Sequence, residues 1–350
     1  MHWPRFLRWS LASFAILAAG IQAFILVMDP YQDVPFAPPM RRALIAQNQR
    51  YSYPAVARSA AFDSAIIGTS TLRLLDPARL DAALGTRFAN LAMNSATAYE
   101  QRRLHALFMR HHPAARQLVL GIDDSWCKQQ PERYTFRGFP AWMYDDNRWN
   151  DLLYLFNDKA LENAVRMWQY ARGRRPEKYA ASGFKDFTRD FGPLDLRRTR
   201  RAIYGAAQAD PPPAFAASDV EPRLAHPEWP LPNLIHLPAI LAATPAATRI
   251  VLVFPPFHAY HTAQEAARLG ECKGRVLRTA AGDPRIDVLD YMLDGPLTRE
   301  DANYWDPLHP IAPVAAGMAE DLAALLGAGT PPAPAHARLR LLRGAAAGAE

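Results

Sequence analysis

The chain has 350 residues, half of them hydrophobic, which is enough apolar material for a buried core and excludes wholesale disorder. Its formal net charge of +6 is mild for this length and unevenly spread, with arginines clustered between Arg166 and Arg201 and again near the C-terminus. The two cysteines, Cys127 and Cys272, form no C-x-x-C pair, so nothing in the sequence suggests a zinc or iron–sulfur centre, and neither a metal nor an organic cofactor is expected.

In chain order, Arg5 and Arg8 precede the uncharged run Trp9 to Met28. A run of about 20 apolar residues matches the thickness of a bilayer's hydrocarbon core. The positive flank is expected to stay in the cytoplasm and the remainder to be exported, which argues against nucleic acid as a partner. The small residues Ala18 to Ala23 offer a rival reading as a cleaved signal peptide, but the run continues to Met28 and favours an uncleaved anchor over residues 1–30. Export would allow Cys127 and Cys272 to pair, and two buried thiols are the alternative.

A proline-rich spacer comes next, then a helix expected over Met40 to Arg58, so that 31–62 read as linker and helix. Asp63–Gly68 is a short apolar run ending in glycine and reads as a buried parallel strand. Further strands are expected at Phe88–Met93, Gln117–Ile122, Ile250–Phe254 and Ile286–Leu289, with helices at Pro77–Leu84, Ala98–His112 and Ala312–Leu326. Strands alternating with helices predict an α/β domain over 63–326, a five-stranded parallel sheet flanked by helices. Residues from about 125 to 232 exceed any crossover and read as a large insertion, helical around Trp149–Arg172. The Ala/Pro/Gly/Leu/Arg-rich tail, 327–350, reads as disordered.

Two short segments carry the chemistry. Gly68-Thr69-Ser70 sets a serine just beyond the first strand, at the sheet edge where parallel α/β proteins build their sites. A turn residue or helix cap is the plainer role for such a serine. Asp306-Pro307-Leu308-His309 puts a carboxylate and an imidazole in one proline-bounded loop. A serine hydroxyl needs an adjacent base, and that base needs a carboxylate to fix its tautomer.

Together these segments resemble the SGNH/GDSL hydrolase superfamily, with its G-x-S block after the first strand and its C-terminal D-x-x-H block, over roughly Asp63 to Leu326. Ser70-Thr71-Leu72-Arg73 is similar to a serine-x-x-arginine pattern in the membrane-anchored branch that includes alginate O-acetyltransferases and the D-alanine-transfer protein of teichoic acid synthesis. The resemblance implies a flavodoxin-like three-layer sandwich and a triad of Ser70, His309 and Asp306. It implies acyl-ester chemistry on a cell-envelope polysaccharide in the periplasm, with an acyl donor and a multispanning O-acyltransferase as candidate partners. The block Asn90–Thr97 places Ser95, with Asn94 beside it, at the oxyanion position normally held by glycine. The third block, Gly121-Ile122-Asp123-Asp124, has Asp123 where the family has an asparagine donor, and an ionised aspartate cannot donate. Arg73, Asp123 and His258 are candidate substrate contacts. Trp142, Tyr144, Trp149, Tyr154, Trp168 and Tyr170 read as sugar-stacking rings or as the core of the insertion, and Arg172, Arg174, Arg175, Arg197, Arg198, Arg200 and Arg201 as a solvated basic face or a surface for anionic glycan or lipid.

Overall fold

A computed structural model describes residues 3–130, 138–206, 210, 212–216, 220–333 and 337–341. The chain divides into two compact units, one of 1–56 with 140–183 and the other of 57–139 with 184–350. The expected insertion is therefore shared: its middle belongs with the N-terminal segment, its ends with the sheet.

In the first unit, α1 spans Trp3–Met28, and its most apolar 18-residue stretch has a mean hydropathy of 2.3, long and apolar enough to cross a membrane. A second helix, α2 (Gln49–Arg58), begins at the end of this unit. It is shorter than the expected Met40–Arg58, since residues 40–46 run irregularly. Past the helices of the other unit in sequence, α5 (Asp158–Ala171) fills the insertion, with its Asn157 side chain capping the Ala160 amide. Its apolar face, Ala160, Ala164 and Met167, is buried at helical spacing. Residues 150–154, expected in the same helix, form a separate 3₁₀ turn.

The second unit is built on a six-stranded sheet, β1 (Ser64–Ile67), β2 (Phe88–Asn90), β3 (Gln117–Gly121), β4 (Arg249–Phe254), β5 (Ile286–Asp290) and β6 (Arg338–Leu341), in the order β2-β1-β3-β4-β5-β6. The first five pair in parallel. Apart from β2, Phe88-Ala89-Asn90, each carries Ile, Leu or Val, and the strands are buried on both faces, as parallel sheets require. Helices α3 (Pro77–Leu84), α4 (Ala98–His111), α6 (Leu196–Tyr204), α7 (His236–Ala243), α8 (Ala259–Gln264), α9 (Ala266–Ala280), α10 (Pro296–Arg299) and α11 (Ala312–Ala328) flank or connect them. Their ends carry explicit stop and start chemistry. Asp76 caps α3 and Gly85 ends it at φ 60°, while Thr97 and Glu100 form a reciprocal capping box on α4. One core of Ile66, Phe88, Val119, Val251 and Leu289 joins the sheet to Leu80 of α3 and Met318, Leu322 and Leu325 of α11.

The five-stranded expectation needs one correction. Residues 338–341 are not disordered; they add antiparallel to β5 as an edge strand. Composition obscured it, because the Arg-Leu-Arg-Leu alternation is only four residues long. Arg338 and Arg340 both pair with Glu221, and Arg340 lies 3.7 Å from Asp290. The tail beyond 341 lies outside the described residues.

Cys127 and Cys272 are joined in a disulfide spanning 145 residues, which closes a loop from the segment after β3 to α9. In the chain-entropy account, closing a loop of that size stabilises by about 4–5 kcal/mol. Cys127→Ser with Cys272→Ser is accordingly expected to lower the unfolding free energy by several kcal/mol, read as an earlier urea midpoint. An unchanged midpoint would show that the cross-link adds nothing to stability.

Candidate active site

Gly68 and Gly121 set the site's position. They face each other across the ends of β1 and β3, and Leu72 plugs the gap between them. A Cβ on Gly121 would sit 2.6 Å from Leu72 Cδ1, and one on Gly68 would sit 3.2 Å away. Glycine at both places is what admits the plug. The chain leaving β1 then makes a 3₁₀ turn, Ser70–Leu72, capped by Thr69, and Ser70 stands at its first residue.

Asp123, two residues past β3, fastens this turn from the neighbouring strand. One carboxylate oxygen accepts from the Thr69 hydroxyl and, at 3.2 Å, from Thr71. The other accepts from the Ser125 amide at 3.0 Å and its hydroxyl at 2.7 Å. Burial pushes the Asp123 carboxyl above its ordinary value, against the lowering effect of these hydrogen bonds. Asp123 is thus an acceptor that braces the serine turn. Its four bonds engage neither Asn94 nor Arg73.

At the other end of the chain, Tyr304 bridges Pro310 and the Trp305 amide donates to the His309 carbonyl, closing a tight loop before α11. Asp306 Oδ1 accepts from the amides of Leu308 (2.9 Å) and His309 (3.0 Å). His309 Nδ1 lies 2.8 and 2.7 Å from the two Asp306 oxygens. Burial would raise the Asp306 carboxyl, but the His309 contact and the two amides outweigh it and hold it below the ordinary value. An ionised Asp306 can only accept, so Nδ1 carries the proton and the Nε2 lone pair is left facing outward. Ser70 Oγ lies 2.7 Å from that nitrogen. The structure therefore joins Ser70, His309 and Asp306 in one hydrogen-bonded relay, although serine and histidine stand 239 residues apart in sequence.

Two clefts meet at Ser70 and His309. One, about 470 Å³, is lined by Ser95, Thr97, Ser125, Lys128, Phe257 and Leu308 among others. The other, about 250 Å³, carries Arg73, Asn94, Phe187, Phe191 and Trp305. Arg73 is nearly buried; its guanidinium donates to Asn94 Oδ1 at 2.8 Å and lies 4.7 Å from the Phe187 ring centroid. Ser95 borders both clefts with φ 50°, the left-handed conformation that favours glycine. Its side chain does not prevent the backbone from taking the glycine conformation.

His258 stands apart from the other candidates. It is fully buried, with Nε2 3.2 Å from Asp301 Oδ1, and it borders neither cleft. Burial lowers its imidazole below the ordinary value, against the raising effect of Asp301. Tyr204 (2.6 Å) and Arg200 (2.8 Å) complete the Asp301 cluster, while the His258 amide donates to the Pro307 carbonyl. So His258 supports the loop holding Asp306 and His309 and is not exposed to a substrate. Phe187, Phe191, Trp305 and Lys128 escape a reading of the sequence, since isolated aromatics and a single lysine carry no spacing signal.

A larger cavity, about 560 Å³, belongs to the first unit and is lined by Tyr51, Trp142 and Tyr154 among others, but by no serine or histidine. Of the insertion's aromatic residues, Tyr144 is core, bonding the Arg50 carbonyl, whereas Trp149 is 64% exposed. Among the described residues, no group of three or more His, Cys, Asp or Glu side chains is arranged to hold a metal ion.

The raised Asp123 carboxyl has a measurable consequence. Between the unfolded value, near pH 4, and the raised folded value, the folded chain binds this proton more tightly than the unfolded chain, so this site's contribution to stability is present below the unfolded value and is lost as pH rises through the folded value. Asp123→Asn removes that loss. The variant's urea stability relative to wild type is expected to improve as pH rises from about 4, and a pH-independent difference would contradict the assignment. No protein-family model matches the chain, and no curated protein matches it.

Proposed function

We propose that the protein is a membrane-anchored serine esterase or O-acyltransferase of the SGNH/GDSL type, acting outside the cytoplasm on ester-linked acyl groups of a cell-envelope polysaccharide. The observation that carries this reading is the Ser70–His309–Asp306 relay, with 2.7 Å contacts at both joints, at the carboxyl edge of a parallel sheet and open to two clefts.

Ser70 Oγ attacks the acyl carbonyl while His309 Nε2 takes its proton, and Asp306 steadies the imidazolium that forms. The alcohol leaves with the proton from His309, and the acyl group stays on Ser70. His309 then deprotonates water, giving hydrolysis, or a sugar hydroxyl, giving transfer. The backbone amides of Ser70 and Ser95 are the candidate oxyanion donors, with the Asn94 amide group beside them. An apolar α1 after Arg5 and Arg8 supports an inner-membrane anchor with the folded part in the periplasm, and the Cys127–Cys272 disulfide fits that oxidising compartment. A multispanning O-acyltransferase is the partner that would supply the acyl group.

One observation favours a second reading, a non-catalytic glycan-binding or accessory partner. Asp123 accepts through both oxygens where the family's third block supplies a side-chain donor, and one lost donor costs on the order of 10²–10³ in rate.

Two experiments test the proposal. A fluorophosphonate should label the full chain at Ser70; His309→Ala should abolish labelling, and Asp306→Asn should slow ester turnover by about 10⁴. Labelling that survives Ser70→Ala would end the nucleophile assignment, and a wild type that does not label would favour the accessory reading. Separately, a reporter active only in the periplasm, fused after Glu350, should give signal. Activity of a cytoplasm-only reporter would reverse the orientation.

A further inference from the structure

Several arginines lie close in sequence or in space to the point where the anchor helix meets its folded unit. Its flanks are bare through much of its length, with Trp9 74%, Phe14 71% and Ile16 73% exposed. Contact comes at its end: Ile25 is fully buried, and Met28 packs against Ala43, Ile45, Met167 and Tyr170.

α5 packs beside the end of α1. Asn163 Nδ2 donates to the hydroxyl of Tyr31, three residues beyond α1, at 3.3 Å. Met167 and Tyr170, one and two turns later, belong to the buried cluster against which Met28 packs. The C-terminal half of α5 therefore shares a buried cluster with the end of α1, and a turn at Gly173 (φ 67°) follows it. Arg172, Arg174 and Arg175 stand beside this turn in sequence. Arg172 and Arg174 each lie 5.6 Å from the Trp168 ring centroid.

Two more arginines lie at the same end of α1. Arg42 donates to the Met28 carbonyl at 3.2 Å and the Val27 carbonyl at 3.1 Å, at the negative end of α1. Arg41 lies 5.4 Å from the Tyr170 ring centroid. Against these five arginines stand Glu177, paired with Arg41, and the buried Asp29 beside Arg42.

We propose that Arg172, Arg174 and Arg175, with Arg41, Arg42 and Trp168, form a binding site for anionic phospholipid headgroups at the level where α1 leaves the bilayer. The parts suit that ligand. Guanidinium forks match phosphate oxygens. Tryptophan settles at the headgroup level of membrane proteins. A basic cluster beside a membrane span lies within a Debye length of the lipid charges. The proposal rests on α1 lying in a bilayer and is independent of the chemistry at Ser70.

The test uses the full chain reconstituted in phosphatidylcholine nanodiscs with trace spin-labelled phosphatidylglycerol or phosphatidylcholine. Electron paramagnetic resonance reports which lipid is held at the protein surface. Wild type should prefer phosphatidylglycerol by at least about fivefold, the effect of a single such charge near an anionic surface. Arg172→Gln with Arg174→Gln and Arg175→Gln should remove most of that preference. The corresponding Arg→Lys triple should keep it, which guards against a folding defect. Arg197→Gln with Arg198→Gln and Arg201→Gln, in the other unit, should leave it unchanged, and Arg5 and Arg8 give a background common to all forms. A preference that survives the first triple overturns the proposal. So does binding of soluble polygalacturonate through the same three arginines without lipid preference, which would assign them to polysaccharide. Absence of any held lipid, phosphatidylcholine included, would remove the membrane reading of α1 as well.

Discussion

Asp123 spends both oxygens on the turn that leaves a neighbouring strand and on its own loop, and much of the sheet unit's chemistry hangs from that bond set. β1 and β3 run parallel, so their exits lie side by side, and each exit is a loop with polar backbone to satisfy. A carboxylate from one exit that accepts two threonine hydroxyls from the other fixes the separation of the two loops. With Leu72 wedged between Gly68 and Gly121 below it, the turn at Ser70 is held from two sides. The buried charge that does this is unfavourable by itself, which is why its proton equilibrium shifts.

The histidine side is held by independent means. Asp306 is clasped by amides of its own loop, and that loop leans on His258, whose ring is turned inward to Asp301. Asp301 in turn gathers Tyr204 and Arg200 from α6. The serine turn and the histidine loop meet at the hydroxyl–imidazole contact and along a wall of the smaller cleft, where Arg73, Phe187, Phe191 and Trp305 follow one another in ring contact. A 2.7 Å contact between two separately braced loops suits a proton that must be given up and returned.

The legibility of these features from sequence followed the range of the forces involved. Strands β1 to β5 were readable because each is a compact apolar run next to a glycine or polar turn, a local signal. Ser70, Asp306 and His309 were readable as two short motifs with a chemical reason to meet. The brace at Asp123 was not, because the same aspartate fits an oxyanion position, a substrate contact or a loop anchor until Thr69 and Ser125 are seen beside it. His258 failed as a pocket residue because a loop histidine has no sequence mark that tells inward from outward. β6 failed because four residues of alternation cannot outweigh a disorder-prone composition, and its pairing depends on an edge of β5 more than 40 residues away.

The long covalent loop between Cys127 and Cys272 has a consequence for how this protein withstands cleavage. Ser70 lies before the first cysteine, and Asp306 and His309 lie after the second. Every peptide bond between the two is therefore inside the ring. A protease that cuts once anywhere in that long stretch, including the exposed segment around Leu153, produces two polypeptides that remain one molecule. The fragment bearing the serine and the fragment bearing the histidine cannot diffuse apart while the sulfurs stay bonded, and β3 still has β4 beside it to pair with. Under oxidising conditions the chain can thus be nicked without being divided, and only reduction turns a single cut into a separation.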